Sequence, residues 1–458
     1  MASDLEGHPF DRAQDGGGFL FNVNLVFLSQ IVIYGLAFGL RVVLARGLGD
    51  EGLGTYSLFF LVVLVAGGVG NLGVGLGNIY FLNKGTYSYG ALLANTLFVL
   101  GAASAVTWLL LVAYGGLFEP ELFVKGRTFW LYAGALPAVI AYVLLTSFLH
   151  GSSRFAALSV VAVSQGASGL ALAGGLYLAD TLDIFGAVLA WTGSFLLADV
   201  LALALVGIRN VDPWRIVRPR WEALKDQVRY GAQGQVANLA ALFNYRLDQF
   251  LVAAFVSRAG VGHYAVAVGL AESVWWISSA VAMVLLPRLT QMDRDEAARM
   301  TPLVCRNTLL VSIGGAAVLM AVSPVAIRVL FGSEFSPATT PLLLLMPGIV
   351  AASAARVLGS YLFSQGKIIY NTYATFIALG ATIILDMALI PALEVPGAAI
   401  ASSIAYVLSL AATLFWYRRV SGGTIWEALV VHPGDRRFYG ELWRRLRVRA
   451  HSAEEEST

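Results

Sequence analysis

The sequence contains two short stretches with the same pattern, "GDEGLGTYSL" at residues 49–58 and "SRAGVGHYAV" at residues 257–266. Both contain the motif G-x-G-x-Y, and both follow a long apolar segment. The matched positions recur at a constant offset of 208 residues, with Gly52, Gly54 and Tyr56 in the first stretch and Gly260, Gly262 and Tyr264 in the second. The two stretches therefore indicate that the chain contains two related halves.

Three further pairs of similar segments occur in the same order along the chain. They are "LHGSSR" (149–154) with "FSQGKI" (363–368), "IFGAVLA" (184–190) with "VPGAAIA" (395–401), and "WEAL" at 221–224 and again at 426–429. Any single pair could arise by chance. Four ordered pairs at offsets of 205 to 215 residues are hard to explain in that way, so we interpret the chain as an internal duplication.

The composition indicates an integral membrane protein. Of the 458 residues, 58% are hydrophobic and only 13% are charged, whereas soluble proteins have about 25% charged residues. The single cysteine, Cys305, excludes an internal disulfide. The first 18 residues are polar and acidic and lack the basic and apolar regions of a signal peptide, so we expect no cleaved signal sequence.

The apolar segments predict an all-α fold with twelve transmembrane helices, because about 20 apolar residues cross the core of a bilayer. The predicted spans are 20–45, 54–80, 90–113, 128–150, 154–178, 184–207, 230–256, 260–286, 303–328, 340–364, 368–391 and 395–417. Each half contributes an even number of spans and therefore enters the membrane with the same polarity. We expect two six-helix lobes related by a pseudo-twofold axis, an arrangement in which transporters place a substrate path between the lobes.

The distribution of Lys and Arg predicts the orientation of the chain, since these residues collect on the cytoplasmic side. The predicted inner loops and tails hold most of them, including Lys84, the cluster from Arg209 to Arg229 and the run from Arg418 to Arg449. The predicted outer loops hold little beyond Arg46, Lys125, Arg127, Arg258 and Arg328. We therefore expect a multi-pass protein of the cytoplasmic membrane with both termini in the cytoplasm.

The predicted organisation has five parts: a cytoplasmic tail (1–18), an N-terminal lobe (19–208), a linker (209–229), a C-terminal lobe (230–418) and a basic tail (419–458). The "WEAL" segment of the linker is predicted to form a helix that lies in the inner membrane interface, because Trp221, Leu224 and Val228 have helical spacing. The basic tail has an amphipathic pattern that suits anionic lipid heads, and a plain solvated tail is the alternative.

The segment "GVGNLG" at residues 68–73 matches the dinucleotide-binding pattern G-x-G-x-x-G. That pattern needs a preceding strand and a soluble βαβ unit, whereas this segment lies within a predicted span. Gly73 and Gly77 also form G-x-x-x-G, which allows two helices to approach closely. We therefore predict helix packing here, and a possible bend of the helix.

The sequence shows no constellation typical of an enzyme. The five histidines have no metal-ligand spacing and do not combine with Ser, Cys or Asp into a catalytic pattern; they are His8, His150, His263, His432 and His451. We therefore expect no catalytic residues, no metal site, no cofactor and no nucleic-acid partner.

Ionisable residues within the predicted spans are the candidates for function, because they are costly in a bilayer and usually face a cavity or a partner. They are Arg41, Asp199, Arg246, Asp248, Glu272, Arg356 and Asp386. For each of them, a structural ion pair between helices is the alternative to a role in transport.

Helix geometry separates Arg246 from Asp248. Residues two positions apart point about 200° from each other, so these two side chains cannot pair side by side. We expect Arg246 to face a central path and Asp248 either to hold a neighbouring helix or to bind a coupling cation. By the repeat offset, Arg41 corresponds to Gln249, so the polar positions of the first and seventh spans should lie close together.

The sign of these charges favours an anionic substrate. The first span carries Arg41 and has no carboxylate from Phe19 to Arg46. Arg41, Arg246 and Arg356 are therefore predicted to bind phosphate, since the planar guanidinium donates paired hydrogen bonds to it. The carboxylates Asp248, Glu272, Asp386 and Asp199 are predicted either to couple transport to H⁺ or Na⁺ or to form structural ion pairs.

At these residues the sequence resembles the polysaccharide-export flippases, the Wzx-like branch of the multidrug/oligosaccharidyl-lipid/polysaccharide (MOP) superfamily. The resemblance rests on "VVLARGLGDEGLGTYSL" (42–58), on "LDQFLVAAFVSRAGVGHYAVA" (247–267) and on the G-A-x-x-A openings of spans six and twelve. It implies a MATE-like fold with a V-shaped cavity between two lobes. It also implies cationic cavity residues in the first and seventh spans, for which Arg41 and Arg246 are the matching candidates.

The resemblance implies that the protein moves an oligosaccharide linked to a polyprenyl phosphate or pyrophosphate from the cytoplasmic to the outer leaflet. Membrane lipids, a glycan polymerase and glycosyltransferases are the expected partners of a monomeric protein. Two alternatives belong to the same superfamily. A drug/cation antiporter should have a carboxylate in its first span, and a peptidoglycan-precursor flippase usually has fourteen spans. A membrane scaffold without transport is the third alternative.

Overall fold

The computed structural model describes residues 16–117, 129–206, 219–430 and 432. Most of the predicted N-terminal tail, the first half of the predicted linker and most of the basic tail lie outside these ranges, as do Lys125 and Arg127. Within them, every regular element is a helix. The structure is therefore all-α, as the sequence predicts.

The helices of the described ranges are numbered α1 to α12 here. They are α1 (Gly16–Gly70), α2 (Val74–Lys84), α3 (Tyr89–Leu117), α4 (Leu131–Gly151), α5 (Phe155–Leu178), α6 (Ile184–Val206), α7 (Trp221–Phe255), α8 (Arg258–Gln291), α9 (Arg294–Leu330), α10 (Thr339–Ser364), α11 (Ile368–Ser421) and α12 (Ile425–Leu429). A 3₁₀ turn, Ser333–Ala338, precedes α10.

Nine helical segments of the described chain are long and apolar enough to cross a membrane. Two of them have double length, because each consists of two helices joined at a residue with non-helical backbone angles, Gly49 (φ 69°) in α1 and Glu394 (φ 55°) in α11. Each bend falls between two predicted spans. The fold is that of a multi-pass helical membrane protein, and the number of twelve spans stays a prediction.

The glycine-rich segment 68–73 is a break between α1 and α2. Leu72 and Gly73 have positive φ angles of 51° and 75°. Gly73 packs directly on α7, since a Cβ built on it would lie 2.4 Å from the carbonyl carbon of Gly231. Gly77 has the same relation to α7, because its Cβ would lie 2.8 Å from the Cα of Gln227. The packing interpretation of this segment is therefore confirmed.

The predicted interfacial helix at 221–229 is wrong as a separate element. Trp221–Phe255 is one continuous helix of 35 residues, so the "WEAL" segment is the first turn of α7. Gln227 explains the difference. It is fully buried, accepts a hydrogen bond from Asn95 Nδ2 at 2.7 Å and donates one to Asn78 Oδ1 at 2.6 Å. These bonds fix the segment against α2 and α3. Its place relative to the membrane interface stays a prediction.

The second "WEAL" segment has a different structure. It forms the five-residue helix α12, which follows a glycine C-cap at Gly422 and is capped by Thr424. Ala428 of this helix is buried in a core with Cys305, Tyr361 and Tyr417. Both "WEAL" segments are thus helical, one as the beginning of a long helix and the other within a helix of five residues.

The chain packs as two compact units. The first consists of Met1–Gly269, Ser323–Leu342 and Thr382–Ala401, and the second of Leu270–Val322, Leu343–Ala381 and Ser402–Thr458. The second unit has a core around Cys305, Tyr361 and Tyr417, in which the two tyrosine rings meet at 5.2 Å. The predicted lobes, 19–208 and 230–418, stay a prediction.

Candidate functional site

A cavity of about 260 Å³ lies within the first unit. It is bounded by α1, α5, α6, α7 and the beginning of α8. Its polar lining consists of Arg41, Ser57, Gln165, Arg246 and Gln249. Its aromatic lining consists of Tyr56, Phe60, Trp191 and Phe195. The cavity therefore combines two cations, neutral hydrogen-bonding groups and a wall of rings.

Arg41 reaches this cavity from α1 by extending across α8. A Cβ built on Gly269 would lie 1.1 Å from Arg41 Nη1. The guanidinium thus occupies the space that any other residue at position 269 would fill. Arg41 is half-buried and belongs to the wall of the cavity.

Arg246 and Gln249 lie three residues apart on α7, and both line the cavity. Asp248 has different surroundings. It is 1% exposed, and its Oδ2 accepts a hydrogen bond from the Tyr264 hydroxyl on α8 at 2.5 Å. Arg41 and Gln249, which correspond by the repeat, line the same cavity. The separate roles of Arg246 and Asp248 stay a prediction. The phosphate-binding role of both arginines stays a prediction.

Asp248 belongs to a buried polar cluster between α7 and α11. Thr382 on α11 donates a hydrogen bond to Asn244 Oδ1 on α7 at 3.2 Å. One helical turn further along, Asp386 is fully buried and interacts electrostatically with Asp248. Among the described residues, neither carboxylate oxygen of Asp386 has a hydrogen-bond partner. Two carboxylates, an amide oxygen and a hydroxyl are oxygen ligands of the kind that hard cations take.

The other predicted carboxylates lie elsewhere. Asp199 is 9% exposed on α6 near Tyr142, and its oxygens have no hydrogen-bond partner within the described ranges. Glu272 is a half-buried residue of α8 in the second unit. Their proposed roles in ion coupling or in structural pairs stay predictions.

Arg356 lies in the second unit. It donates a hydrogen bond to Ser279 Oγ, and its guanidinium carbon lies 5.1 Å from the centre of the Trp275 ring. Trp275 in turn donates to the carbonyl of Ile349 at 3.2 Å. These contacts give Arg356 a packing role within its own unit, and its part in a substrate path stays a prediction.

Sequence reasoning missed the uncharged lining of the cavity. Gln165 on α5 donates to Ser194 Oγ at 3.0 Å, which holds its amide between α5 and α6. Trp191 packs against Phe59 and Phe60 with centroid distances of 5.8 Å. A neutral side chain in an apolar span gives no charge signal, so only its place in the fold identifies it.

The repeated G-x-G-x-Y motif has a structural explanation. A Cβ on Gly54 would lie 1.8 Å from the carbonyl oxygen of Arg258, and a Cβ on Gly262 would lie 2.2 Å from that of Asp50. The second glycine of each motif thus allows the backbones of α1 and α8 to touch. Beside this contact, His263 Nε2 lies 3.1 Å from Asp50 Oδ2.

Comparisons with known proteins identify the family and the fold. The family described as "Polysaccharide biosynthesis protein" matches residues 19–293. "Probable low-salt glycan biosynthesis flippase Agl15" of Haloferax volcanii is 22% identical over 218 residues, which cover 47% of this chain and 46% of that protein. The match thus spans less than half the length of that curated relative.

Two solved structures have the same fold. "Lipid II flippase MurJ, inward closed conformation" superposes with a TM-score of 0.71 at 14% identity, covering 87% of this chain and 90% of that one. An inward-facing "multidrug resistance MATE family transporter of the MOP superfamily" superposes with a TM-score of 0.68 at 16% identity, covering 85% and 94%. The chain belongs to the polysaccharide biosynthesis protein family and has the fold of the MOP superfamily.

Proposed function

We propose that the protein is a flippase that moves a lipid-linked oligosaccharide from the cytoplasmic to the outer leaflet by alternating access. The lipid would be a polyprenyl phosphate or pyrophosphate, and the protein would act in the assembly of a surface glycan. The observation that carries this proposal is the presence of Arg41 and Arg246, from repeat-related helices, in the wall of one cavity.

The chemistry of the cavity suits such a headgroup. A phosphate is very costly in an apolar site unless it is paired, and arginine pairs with it through two parallel hydrogen bonds. Ser57, Gln165 and Gln249 add neutral groups that bind sugar hydroxyls. Tyr56 and Trp191 add ring surface for the apolar faces of a sugar.

The membrane potential supplies a driving force for this direction of movement. A negative interior assists the outward movement of an anion by about 2.3 kcal/mol per charge per 100 mV. The same potential draws an empty carrier with cationic residues inward. The charged step therefore needs no ion cycle, and transport should respond to voltage in liposomes without an ion gradient.

A coupling cation is the second possible energy source, and the cluster of Asp248 and Asp386 is its candidate site. The residues fit H⁺ or Na⁺, because Asp386 is fully buried and its oxygens have no hydrogen-bond partner among the described residues. The cation would neutralise the two carboxylates when bound. Replacing Asp386 with Asn should leave voltage-driven flipping intact and should remove any dependence on a sodium or proton gradient.

The proposal is tested by reconstituting the purified protein with lipid-linked glycans extracted from its source cells. Arg246→Ala should lower the flipping rate at least about tenfold, the factor for about 1.4 kcal/mol. Arg229→Ala, an exposed position on the same helix, is the matched control and should retain the rate. Full glycan export by a folded Arg246→Ala protein would instead favour a scaffold without transport.

The drug/cation antiporter remains the rival function, because a MATE transporter shares the fold. The first helix argues against it, since it carries Arg41 and no carboxylate from Phe19 to Arg46. Efflux of a cationic dye against a proton or sodium gradient, in liposomes that flip no glycan lipid, would support the antiporter.

A further inference from the structure

A second cavity in the first unit has a volume of about 680 Å³ and lies between α2 and the first turns of α7. It includes Lys84, which the charge distribution predicts to lie on the cytoplasmic side. The polar and aromatic part of its lining consists of Tyr80, Asn83, Lys84, Tyr230 and Gln233. Each helix contributes one face, because Tyr80 and Asn83, like Tyr230 and Gln233, are three residues apart.

Two tyrosine rings form the wall of this pocket. Tyr80 and Tyr230 are stacked, with centroids 4.0 Å apart and planes inclined by 20°. Tyr230 is still 44% exposed, although one face of its ring is covered by Tyr80. The pair therefore presents a flat, amphipathic surface to the cavity.

Polar groups surround the rings and are held in place. Lys84 Nζ donates to the Tyr80 hydroxyl at 3.2 Å, and Asn83 Nδ2 donates to the carbonyl of Ile79 at 2.8 Å. A neighbouring cavity of about 280 Å³ shares Leu76 and Ile79 with this one and adds the side chains of Asn71, Thr146 and Gln235. Further amides and a hydroxyl thus lie beside the pocket, on α4, on α7 and in the turn before α2.

The volumes of the two cavities suggest that they bind different parts of the substrate. The cavity at Arg41 and Arg246 has about 260 Å³, below the roughly 300 to 1,000 Å³ of pockets that enclose drug-sized ligands. An oligosaccharide attached to phosphate does not fit there as a whole. The pocket at Tyr80 and Tyr230, at about 680 Å³, lies within that range.

We propose that the pocket formed by Tyr80, Asn83, Lys84, Tyr230 and Gln233 binds sugar residues of the lipid-linked glycan, and we name it the inner sugar site. The rings bind the apolar face of a pyranose, and the amides bind its hydroxyls. This inference rests on the proposed function and adds a second subsite to it, separate from the arginine cavity.

An anionic lipid headgroup fits the pocket less well than a sugar does. Sites for anionic lipids are built from clusters of Lys and Arg. The lining of the inner sugar site contains one cation, Lys84, beside two amides and two tyrosines. Neutral, flat and polyhydroxylated groups match this set of side chains.

The test compares two probes in binding to the purified full-length protein. The first is the radiolabelled lipid-linked glycan extracted from the source cells, and the second is the same extract after mild acid has removed its sugars. Tyr230→Ala should weaken binding of the first probe about tenfold and leave binding of the second within about twofold. Arg246→Ala should weaken both probes, because both carry phosphate.

Two controls separate ring loss from misfolding. Tyr230→Phe keeps the ring and should bind the glycan probe within about threefold of the wild type. Trp221→Ala removes an exposed ring, 66% exposed, from the same helix outside the pocket and should bind both probes normally. Thermal unfolding in detergent verifies that each variant is folded.

The outcomes distinguish the inference from the proposed function. If Tyr230→Ala binds the glycan probe like the wild type, or loses both probes equally, the inner sugar site is wrong and the flippase proposal stands. An equal loss would assign the pocket to lipid phosphate. If the wild type binds neither probe, the flippase proposal fails and the sugar site fails with it.

Discussion

The guanidinium of Arg41 lies where a side chain at Gly269 would be, with Nη1 only 1.1 Å from the position of a Cβ on that glycine. The two residues are 228 positions apart, on α1 and α8. The cationic wall of the cavity thus depends on a glycine in the other half of the chain.

Gly269→Ala is therefore expected to displace Arg41 and to lower flipping at least about tenfold, as Arg41→Ala should. Gly174→Ala on α5 is the matched control, because a Cβ there meets nothing within 4 Å. Flipping rates in proteoliposomes measure both variants. Wild-type activity of Gly269→Ala would mean that the position of Arg41 is unimportant for transport.

The contact between Gly54 and Gly262 predicts a loss of stability. Alanine at position 262 would place its Cβ 2.2 Å from the carbonyl oxygen of Asp50, so the backbones of α1 and α8 must separate. Overpacking of this kind costs about 1–3 kcal/mol. Thermal unfolding should show a lowered midpoint for Gly262→Ala, while Gly101→Ala, in open space on α3, should not.

The hydrogen bond from Tyr264 to Asp248 predicts a penalty for losing the hydroxyl. Tyr264→Phe leaves a carboxylate that is 1% exposed without this donor, which should cost about 1–3 kcal/mol of unfolding free energy. Combining it with Asp248→Asn should cost less than the sum of the single changes, as a double-mutant cycle would measure. Tyr177→Phe, at 37% exposure on α5, should be neutral. Strict additivity would argue against the bond.

Buried side-chain amides connect the first turns of α7 to α2 and α3, through hydrogen bonds of Gln227 with Asn78 and Asn95. We therefore expect these turns to depend on Gln227. Gln227→Leu removes one hydrogen bond from each asparagine, and each keeps a second partner, Thr96 for Asn78 and the Arg220 carbonyl for Asn95. The change should therefore destabilise the protein by about 0.5–1.5 kcal/mol for each lost bond. Glu222→Ala, exposed in the first turn of the same helix, provides the comparison. Hydrogen exchange at residues 221–231 should accelerate in the leucine variant alone.

The hydrophobic composition of the sequence predicted the all-α membrane fold. The repeat matched Arg41 with Gln249, and both residues line the same cavity. The prediction of a separate interfacial helix at the start of α7 was wrong, because it relied on the local spacing of apolar residues. The deciding bonds of Gln227 are to residues 149 and 132 positions away. No local pattern contains that information.

Two boundaries between adjacent spans were readable from the sequence. The predicted gaps at 46–53 and 392–394 contain the two backbone breaks of the structure, at Gly49 in α1 and Glu394 in α11. Neutral lining residues such as Gln165 were missed because a single amide in an apolar helix resembles many packing residues. Only the arrangement of the neighbouring helices shows whether such an amide lines a cavity or packs between helices.

The two backbone contacts, Gly54 with Gly262 and Gly73 with Gly231, bear on the energetics of movement. Where glycines meet, no side chain has to change its rotamer when the helices part and meet again. At these junctions, separation of the helices is opposed by the close backbone contacts and by the few polar contacts beside them. In the proposed alternating access, changes at those neighbours, the His263–Asp50 pair and the Gln227 amide, should therefore alter the barrier to the motion without altering the glycine contacts.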